Sequence, residues 1–266
     1  MAKEINVLVA GALGKMGGET IRTVKQSEDT NLIGAVDVKA REQKLSFITG
    51  DESDNQEIWT DLDEALEILK PDVLVDFTNP QAVYVNSRTA LRKGVPCIIG
   101  TTGLSDKELE SLDQIARENQ VAIAVIPNFA IGAILMMKFA QEAARYFGDV
   151  EIIELHHDGK LDAPSGTAIK TAEMIREIRE IDGTGIKGEF EKYTGARGGK
   201  VQGISVHSVR LPGFVAHQEV IFGGTGQALT IRHDAFNREC FMPGVILAIK
   251  KIQTFTGLVY GLEKMI

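Results

Sequence analysis

The sequence predicts an α/β chain in two parts, a doubly wound parallel sheet followed by an α+β domain with a mostly antiparallel sheet. Three observations lead there. Up to about residue 125, short β-branched runs alternate with segments of helical period. Those runs are apolar throughout, which suits strands covered on both faces. After "PNFAIG" (127–132) the texture changes to strong helices and alternating strands joined by glycine-bearing turns.

The first part places strands on "INVLVA" (5–10), "NLIGAVD" (31–37), "DVLVDF" (72–77), "VPCIIG" (95–100) and "VAIAVI" (121–126). Between Ala40 and Asn55 the pattern lapses into polar sequence, which reads as a surface loop. In the second part "AILMMKFAQEAARYF" (133–147) is a helix and "VEIIELHH" (150–157) a strand. "SGTAIKTAEMIREIREI" (165–181) is a further helix, opened by Pro, Ser, Gly and Thr. A glycine-rich loop (183–203) leads to strands at 204–211, 214–223 and 227–235. The segment 237–255 is helical again, with Pro243 at an early turn, and returns to the first domain. The expected domains are 1–127 with 239–266, and 128–238. Crossings near Asn128 and Arg238 would form a hinge.

Composition narrows the function classes. A quarter of the residues are charged and 44% hydrophobic, an ordinary globular balance. A net charge of −8 argues against nucleic acid and anionic membrane as partners, so an anionic ligand requires a local cation. Cys97 and Cys240 are far apart in sequence, which indicates neither a zinc site nor a disulfide framework, and no metal is expected. With no leader or long apolar run in view, a cytoplasmic location is expected.

"VLVAGALGKMGGET" (7–20) carries Gly11, Gly14 and Gly17 from a strand into a helix. Glycine tolerates the turn, and the missing Cβ lets a pyrophosphate approach the helix N-terminus. The reading is a Rossmann-type dinucleotide site at Gly11, Ala12, Leu13, Gly14, Lys15 and Met16; a tight turn with no ligand is the plainer alternative. Asp37 ends the second strand 20 residues after Gly17, where a carboxylate accepts from ribose hydroxyls and favours NADH. Lys39 offers a cation to the 2′-phosphate of NADPH, so NADH, NADPH or both remain possible. "DFTNP" (76–80), "GTTG" (100–103) and "PNFA" (127–130) follow later strands and extend the cofactor edge to Gly100, Thr101, Thr102, Ile126, Pro127, Asn128 and Phe129.

"ELHHDGKLDAPSGTA" (154–168) closely resembles the signature of the dihydrodipicolinate reductase family, also called 4-hydroxy-tetrahydrodipicolinate reductase. The glycine loop, "DFTNP", "GTTG", "PNFAIG" and "AHQEVIFG" (216–223) resemble the same family in order along the chain. The resemblance implies NAD(P)H-dependent reduction of dihydrodipicolinate to tetrahydrodipicolinate, on the diaminopimelate route to lysine. It also implies a homotetramer and a C-terminal helix packed back on the nucleotide-binding domain. His156 matches the catalytic histidine, His157 the substrate-binding histidine and Lys160 the catalytic lysine. Ser165, Gly166 and Thr167 open a helix whose N–H groups suit a substrate carboxylate.

Plainer readings stand beside these. Adjacent histidines are commonly one core and one surface ring, and "DAPSGT" makes a simple helix cap with Ser165 as N-cap. His207, His217 and His233 read as structural, and Arg197 as a weaker loop contact. The chain departs from its relatives at Val38, which intervenes before Lys39, at Asp158 and Gly159 inside the His-His-Lys motif, and at Ala130 in place of a serine. Two other functions remain: a different two-domain NAD(P) oxidoreductase acting on a sugar or semialdehyde, and a non-catalytic nucleotide sensor. Cys240 is a poor nucleophile for the semialdehyde chemistry.

Overall fold

The computed structural model describes residues 4–178 and 190–266. The last residues of the expected 165–181 helix and the first part of the 183–203 loop lie outside the described residues. Two compact units are present, Met1–Phe129 with Phe241–Ile266, and Ala130–Cys240. Both crossings lie two residues beyond the expected positions.

The first unit runs β1 (Ile5–Ala10), α1 (Lys15–Gln26), β2 (Thr30–Val36), α2 (Ser46–Thr49), α3 (Leu62–Leu69), β3 (Val73–Asp76), α4 (Pro80–Arg92), β4 (Cys97–Ile99), α5 (Asp106–Glu118) and β5 (Ala122–Val125). Every pairing in its sheet is parallel. Val7, Leu8 and Val9 of β1 are fully buried, so both faces of the strand are covered, as its uniform apolar run requires. Helix starts follow local chemistry. Asp61 caps α3, Asn79 caps α4 with Pro80 in its first turn, and Ser105 forms a reciprocal capping box with Glu108 on α5.

The segment 40–55 is more ordered than its polarity predicts. It contains the single turn α2, buries Leu45, and receives a hydrogen bond from Arg22 Nη1 to the Ile48 carbonyl at 3.0 Å. One buried leucine and backbone pairing hold it, and neither produces a period in the sequence.

The second unit comprises α6 (Ile131–Ala143), β6 (Asp149–His156), α7 (Gly166–Ile178), β7 (Gly199–Val201), β8 (Ile204–Arg210), β9 (Ala216–Gly224) and β10 (Gln227–Ala235). The strand order is β10-β9-β6-β8-β7. Pairing is antiparallel except between β6 and β8, which run parallel with His156 opposite Arg210. The short strand β7 lies within the stretch that reads as a glycine loop.

The chain then returns to the first unit. Cys240 falls in a 3₁₀ turn (Arg238–Phe241), not inside the apolar helix that follows, α8 (Met242–Lys251). Gly244 of α8 lies so close to the Phe129 carbonyl that a Cβ would stand 1.9 Å from its oxygen. A final strand, β11 (Gly257–Tyr260), pairs in parallel with β5 and completes the six-stranded order β11-β5-β4-β3-β1-β2. Among the described residues no helix is long and apolar enough to cross a membrane.

Candidate active site

In the first unit the strand order reverses at β1, which has β2 on one side and β3 on the other. Ligands of such sheets bind outside the carboxyl ends of the strands at this point. The glycine loop lies there. Gly11 has φ +80°, and a Cβ on it would stand 2.7 Å from the Phe77 carbonyl oxygen; one on Gly17 would stand 2.1 Å from the Gly11 carbonyl oxygen. The loop, the start of α1 and the turn after β3 are therefore in backbone contact, and side chains at these two positions are excluded.

Asp37 is bound into this loop. One carboxylate oxygen accepts from the Leu13 N–H and the other from the Lys39 N–H, each at 3.0 Å. An ionised carboxylate has about four acceptor sites, so capacity for a ribose hydroxyl remains. Lys15 and Lys39 are exposed, and Met16 is partly buried.

At the end of β3, Asp76 is fully buried and accepts from the Thr78 N–H at 2.8 Å, the Thr78 hydroxyl at 2.5 Å and Asn86 Nδ2 at 2.8 Å. Burial pushes its carboxyl above the ordinary value, against those three bonds. The result is a rigid "DFTN" turn. Gly100 faces the Phe77 ring, Thr101 Oγ1 donates to the Thr78 carbonyl at 3.3 Å, and the Ile126 N–H donates to the Ile99 carbonyl at 2.9 Å. The rings of Phe77 and Phe129 lie 5.5 Å apart. Thr102 and Pro127 are exposed and Asn128 is partly so.

A dinucleotide fits what these residues present. A cavity of about 220 Å³ is lined by Ala12, Leu13, Gly14, Lys15, Gly18, Arg22, Phe47 and Ile48. Helix α1 has no acidic residue in its first turn and no side chain capping its first N–H groups, so its positive end is available to an anion. Arg22, on α1, and the exposed ring of Phe47 are additions that sequence reasoning missed, because only the folded path of the 40–55 segment, which carries no helical or strand period, brings Phe47 and Ile48 beside α1.

In the second unit, His156 is the last residue of β6. Its Nδ1 lies 2.5 Å from Glu154 Oε2, on a side chain that is fully buried. Arg210, opposite His156 on β8, grips Glu154 with two hydrogen bonds, Nη1 to Oε2 at 2.8 Å and Nη2 to Oε1 at 2.7 Å. Burial alone would raise the Glu154 carboxyl; bonds from Arg210, Ser208 and His156 outweigh it and hold the group below the usual carboxylate range. His156 is lowered from its ordinary value, chiefly by burial, against the opposing pull of Glu154.

Beyond the strand the chain turns back. His157 is exposed, and its ring lies over Gly159, where a Cβ would stand 3.3 Å from Nδ1. Lys160 Nζ is held by both oxygens of Asp162 at 2.7 and 2.8 Å. Ser165 is buried. Its hydroxyl accepts from the Ala168 N–H at 3.2 Å, the N-cap bond of α7, and its own N–H donates to Glu154 at 3.2 Å. Ser165 thus holds the turn from inside. Gly166 is exposed and a Cβ there would meet nothing within 4 Å, which leaves the first turn of α7 open beside it. Thr171 ties that turn to the sheet: its hydroxyl donates to the Thr167 carbonyl at 2.7 Å and accepts from Gln218 Nε2 at 2.8 Å.

The remaining candidates have other partners. Arg197 pairs with Glu151, which His207 Nε2 also meets at 2.8 Å. Glu151 and His156 project from opposite faces of β6, so the structure does not bring Arg197 to the histidine. His217 Nδ1 meets Asp234 at 2.6 Å, and His233 lies against Gly132. The residues that sequence reasoning missed here are Glu154, Asp162 and Arg210. Glu154 had a signal, since it lies two residues before His156 on one strand face; Arg210 had none, because only the β6–β8 register brings it there.

Comparisons with known proteins agree over the whole chain. Residues 5–129 match the family described as dihydrodipicolinate reductase, N-terminus, and residues 132–266 match its C-terminus. A 4-hydroxy-tetrahydrodipicolinate reductase of Syntrophomonas wolfei is 58% identical over 266 residues, covering 100% of both chains. One of Desulfitobacterium hafniense is 52% identical over 265 residues, covering 99% of each. A dipicolinate-bound dihydrodipicolinate reductase from a Paenisporosarcina species superposes with a TM-score of 0.90 at 46% identity, over 99% of this chain and 100% of that one. An amine dehydrogenase from Mycobacterium smegmatis, at 13% identity and a TM-score of 0.67 over 97% of this chain and 95% of that one, shares the fold alone. Matched in both halves by one family and along its full length by relatives more than half identical, the chain belongs to the dihydrodipicolinate reductase family of NAD(P)H-dependent oxidoreductases.

Proposed function

We propose that the protein reduces dihydrodipicolinate, formed from 4-hydroxy-tetrahydrodipicolinate, to tetrahydrodipicolinate on the diaminopimelate route to lysine, with NADH or NADPH. The observation that carries this reading is the grouping at the end of β6: a histidine held by a buried carboxylate, a lysine four residues on, and an open helix start. A relative solved with dipicolinate bound supports the substrate class. In the first unit, the glycine loop, Asp37, Lys39 and the turns at 76–80, 100–103 and 126–129 would hold the cofactor. When bound, the nicotinamide supplies a hydride.

The chain's own residues do the rest. Hydride arrival leaves negative charge on the substrate ring, and a proton must neutralise it. His156 supplies that proton from Nε2, the nitrogen not engaged by Glu154. Lys160 exchanges Asp162 for a substrate carboxylate, lends a local cation to an acidic protein and provides a second proton donor. The N–H groups of Gly166 and Thr167 receive the other carboxylate, and His157 holds the ring from the solvent side. An assay coupled to the upstream synthase, following NADH and NADPH in parallel, tests the reading. Oxidation with either cofactor is expected; none above background with both overturns it.

We also propose a homotetramer assembled through the second unit. Its edge strand β10 is nine residues long and mostly exposed, a surface that proteins normally cover or pair. Light scattering is expected to give four times the 29.0 kDa chain mass, and a monomer overturns the assembly.

A further inference from the structure

We propose that Glu154 and Arg210 are positioning residues that decide which nitrogen of His156 exchanges the proton, and that hold the Lys160 loop and the start of α7 in register with it. What the proton is used for rests on the reductase reading; which nitrogen carries it does not.

Both oxygens of Glu154 are engaged. Oε1 accepts from Arg210 Nη2 and from the Ser165 N–H, and Oε2 accepts from Arg210 Nη1 and lies against His156 Nδ1. An ionised carboxylate only accepts, so the hydrogen in the contact with His156 belongs to Nδ1. The neutral ring then has its lone pair on Nε2. In the charged ring the Nε2–H bond is the one that breaks: its electron pair stays on nitrogen, and the proton goes to the substrate atom made negative by hydride.

Arg210 keeps the arrangement in this sense. A fully buried Glu154 with no cation would take up a proton and donate to Nδ1, reversing the tautomer. The same guanidinium donates to the Asp162 carbonyl and the Val209 carbonyl, each at 2.8 Å. It therefore ties β6, β8 and the loop carrying Lys160 and Asp162 to one point. Ser165, bonded to Glu154 and capping α7, adds the helix start. The charged groups facing His156 are Glu154 on its own strand, Lys160 on the loop and Arg210 on β8. Only Glu154 favours the protonated ring.

Nitrogen-15 NMR of the histidine-labelled full-length protein tests this without turnover. His156 in the neutral form is expected to carry its hydrogen on Nδ1; hydrogen on Nε2 overturns the proposal. Glu154→Gln leaves one acceptor for Arg210 and turns an NH₂ toward Nδ1, so the tautomer should reverse. In that variant and in Arg210→Met, kcat should fall about 50-fold; KM for the dicarboxylate should change less than about threefold in Glu154→Gln and rise by more than that in Arg210→Met, where the Lys160 loop loses its tie. In Glu154→Gln the basic limb of the kcat profile should also move to lower pH. Circular dichroism and a cooperative thermal-unfolding transition report that the second unit, which carries both substitutions, is folded in each variant. Wild-type kcat with an unshifted profile in Glu154→Gln overturns the proposal. An inactive wild type removes the reductase reading alone, and the tautomer measurement then still decides this one.

Discussion

The two units build their candidate binding surfaces from different materials. In the first, the surface is backbone: a glycine loop in van der Waals contact with the next turn, helix N–H groups, and carboxylates such as Asp37 and Asp76 that tie loops down. In the second it is side chains, with one buried ion pair holding a histidine, a lysine loop and a helix start. A dinucleotide is long and offers phosphates to N–H groups along its length, so a shaped backbone suffices. Proton transfer needs one nitrogen aimed at one atom, and that demands a locked side chain.

The largest expected effects test this separation directly. His156→Gln and Lys160→Ala should each lower kcat by roughly 10² or more, with NADH affinity unchanged in a fluorescence titration. Parallel loss of NADH binding would break the distinction. On the proposed role, the same ring sets the pH dependence. Burial holds His156 below its ordinary value, and a general acid must be protonated. A kcat profile should therefore fall about tenfold per pH unit once pH rises above a pKa lower than about 6.5; a flat profile to pH 8 would remove His156 from the role.

Gly17→Ala comes next. A Cβ 2.1 Å from the Gly11 carbonyl forces the loop apart, and overpacking of about 1–3 kcal/mol should weaken NADH binding by about tenfold or more. With NADH saturating, kcat should stay within about threefold of wild type. Asp37→Ala frees the Leu13 and Lys39 N–H groups and removes a negative charge, so kcat/KM measured side by side should move about fivefold toward NADPH. The smallest effect is Ser165→Ala, which removes the α7 cap and should cost about 1 kcal/mol in denaturant unfolding.

Much of this organisation is legible in single segments. The strands of the first sheet declare themselves because burial on both faces demands continuous apolar runs, and Val7, Leu8 and Val9 meet that demand. Asn79 before Pro80 and Ser105 before Glu108 announce helix starts through chemistry that acts over three residues. β11 is harder to read, since four residues after a helix resemble any short apolar run until β5 pairs with them. α2 and β7 are shorter than the periods that would reveal them.

By itself, then, the sequence determined the two kinds of domain, the glycine turn, and the run of His156, His157, Lys160 and Ser165 to Thr167, because each depends on neighbours within a few residues. Tertiary structure alone decided that Arg210 neutralises Glu154, that Asp37 ties back to Leu13, and that Gly244 of α8 closes on the Phe129 carbonyl. Those contacts join positions between 24 and 115 residues apart, on strands and helices whose register no local pattern specifies.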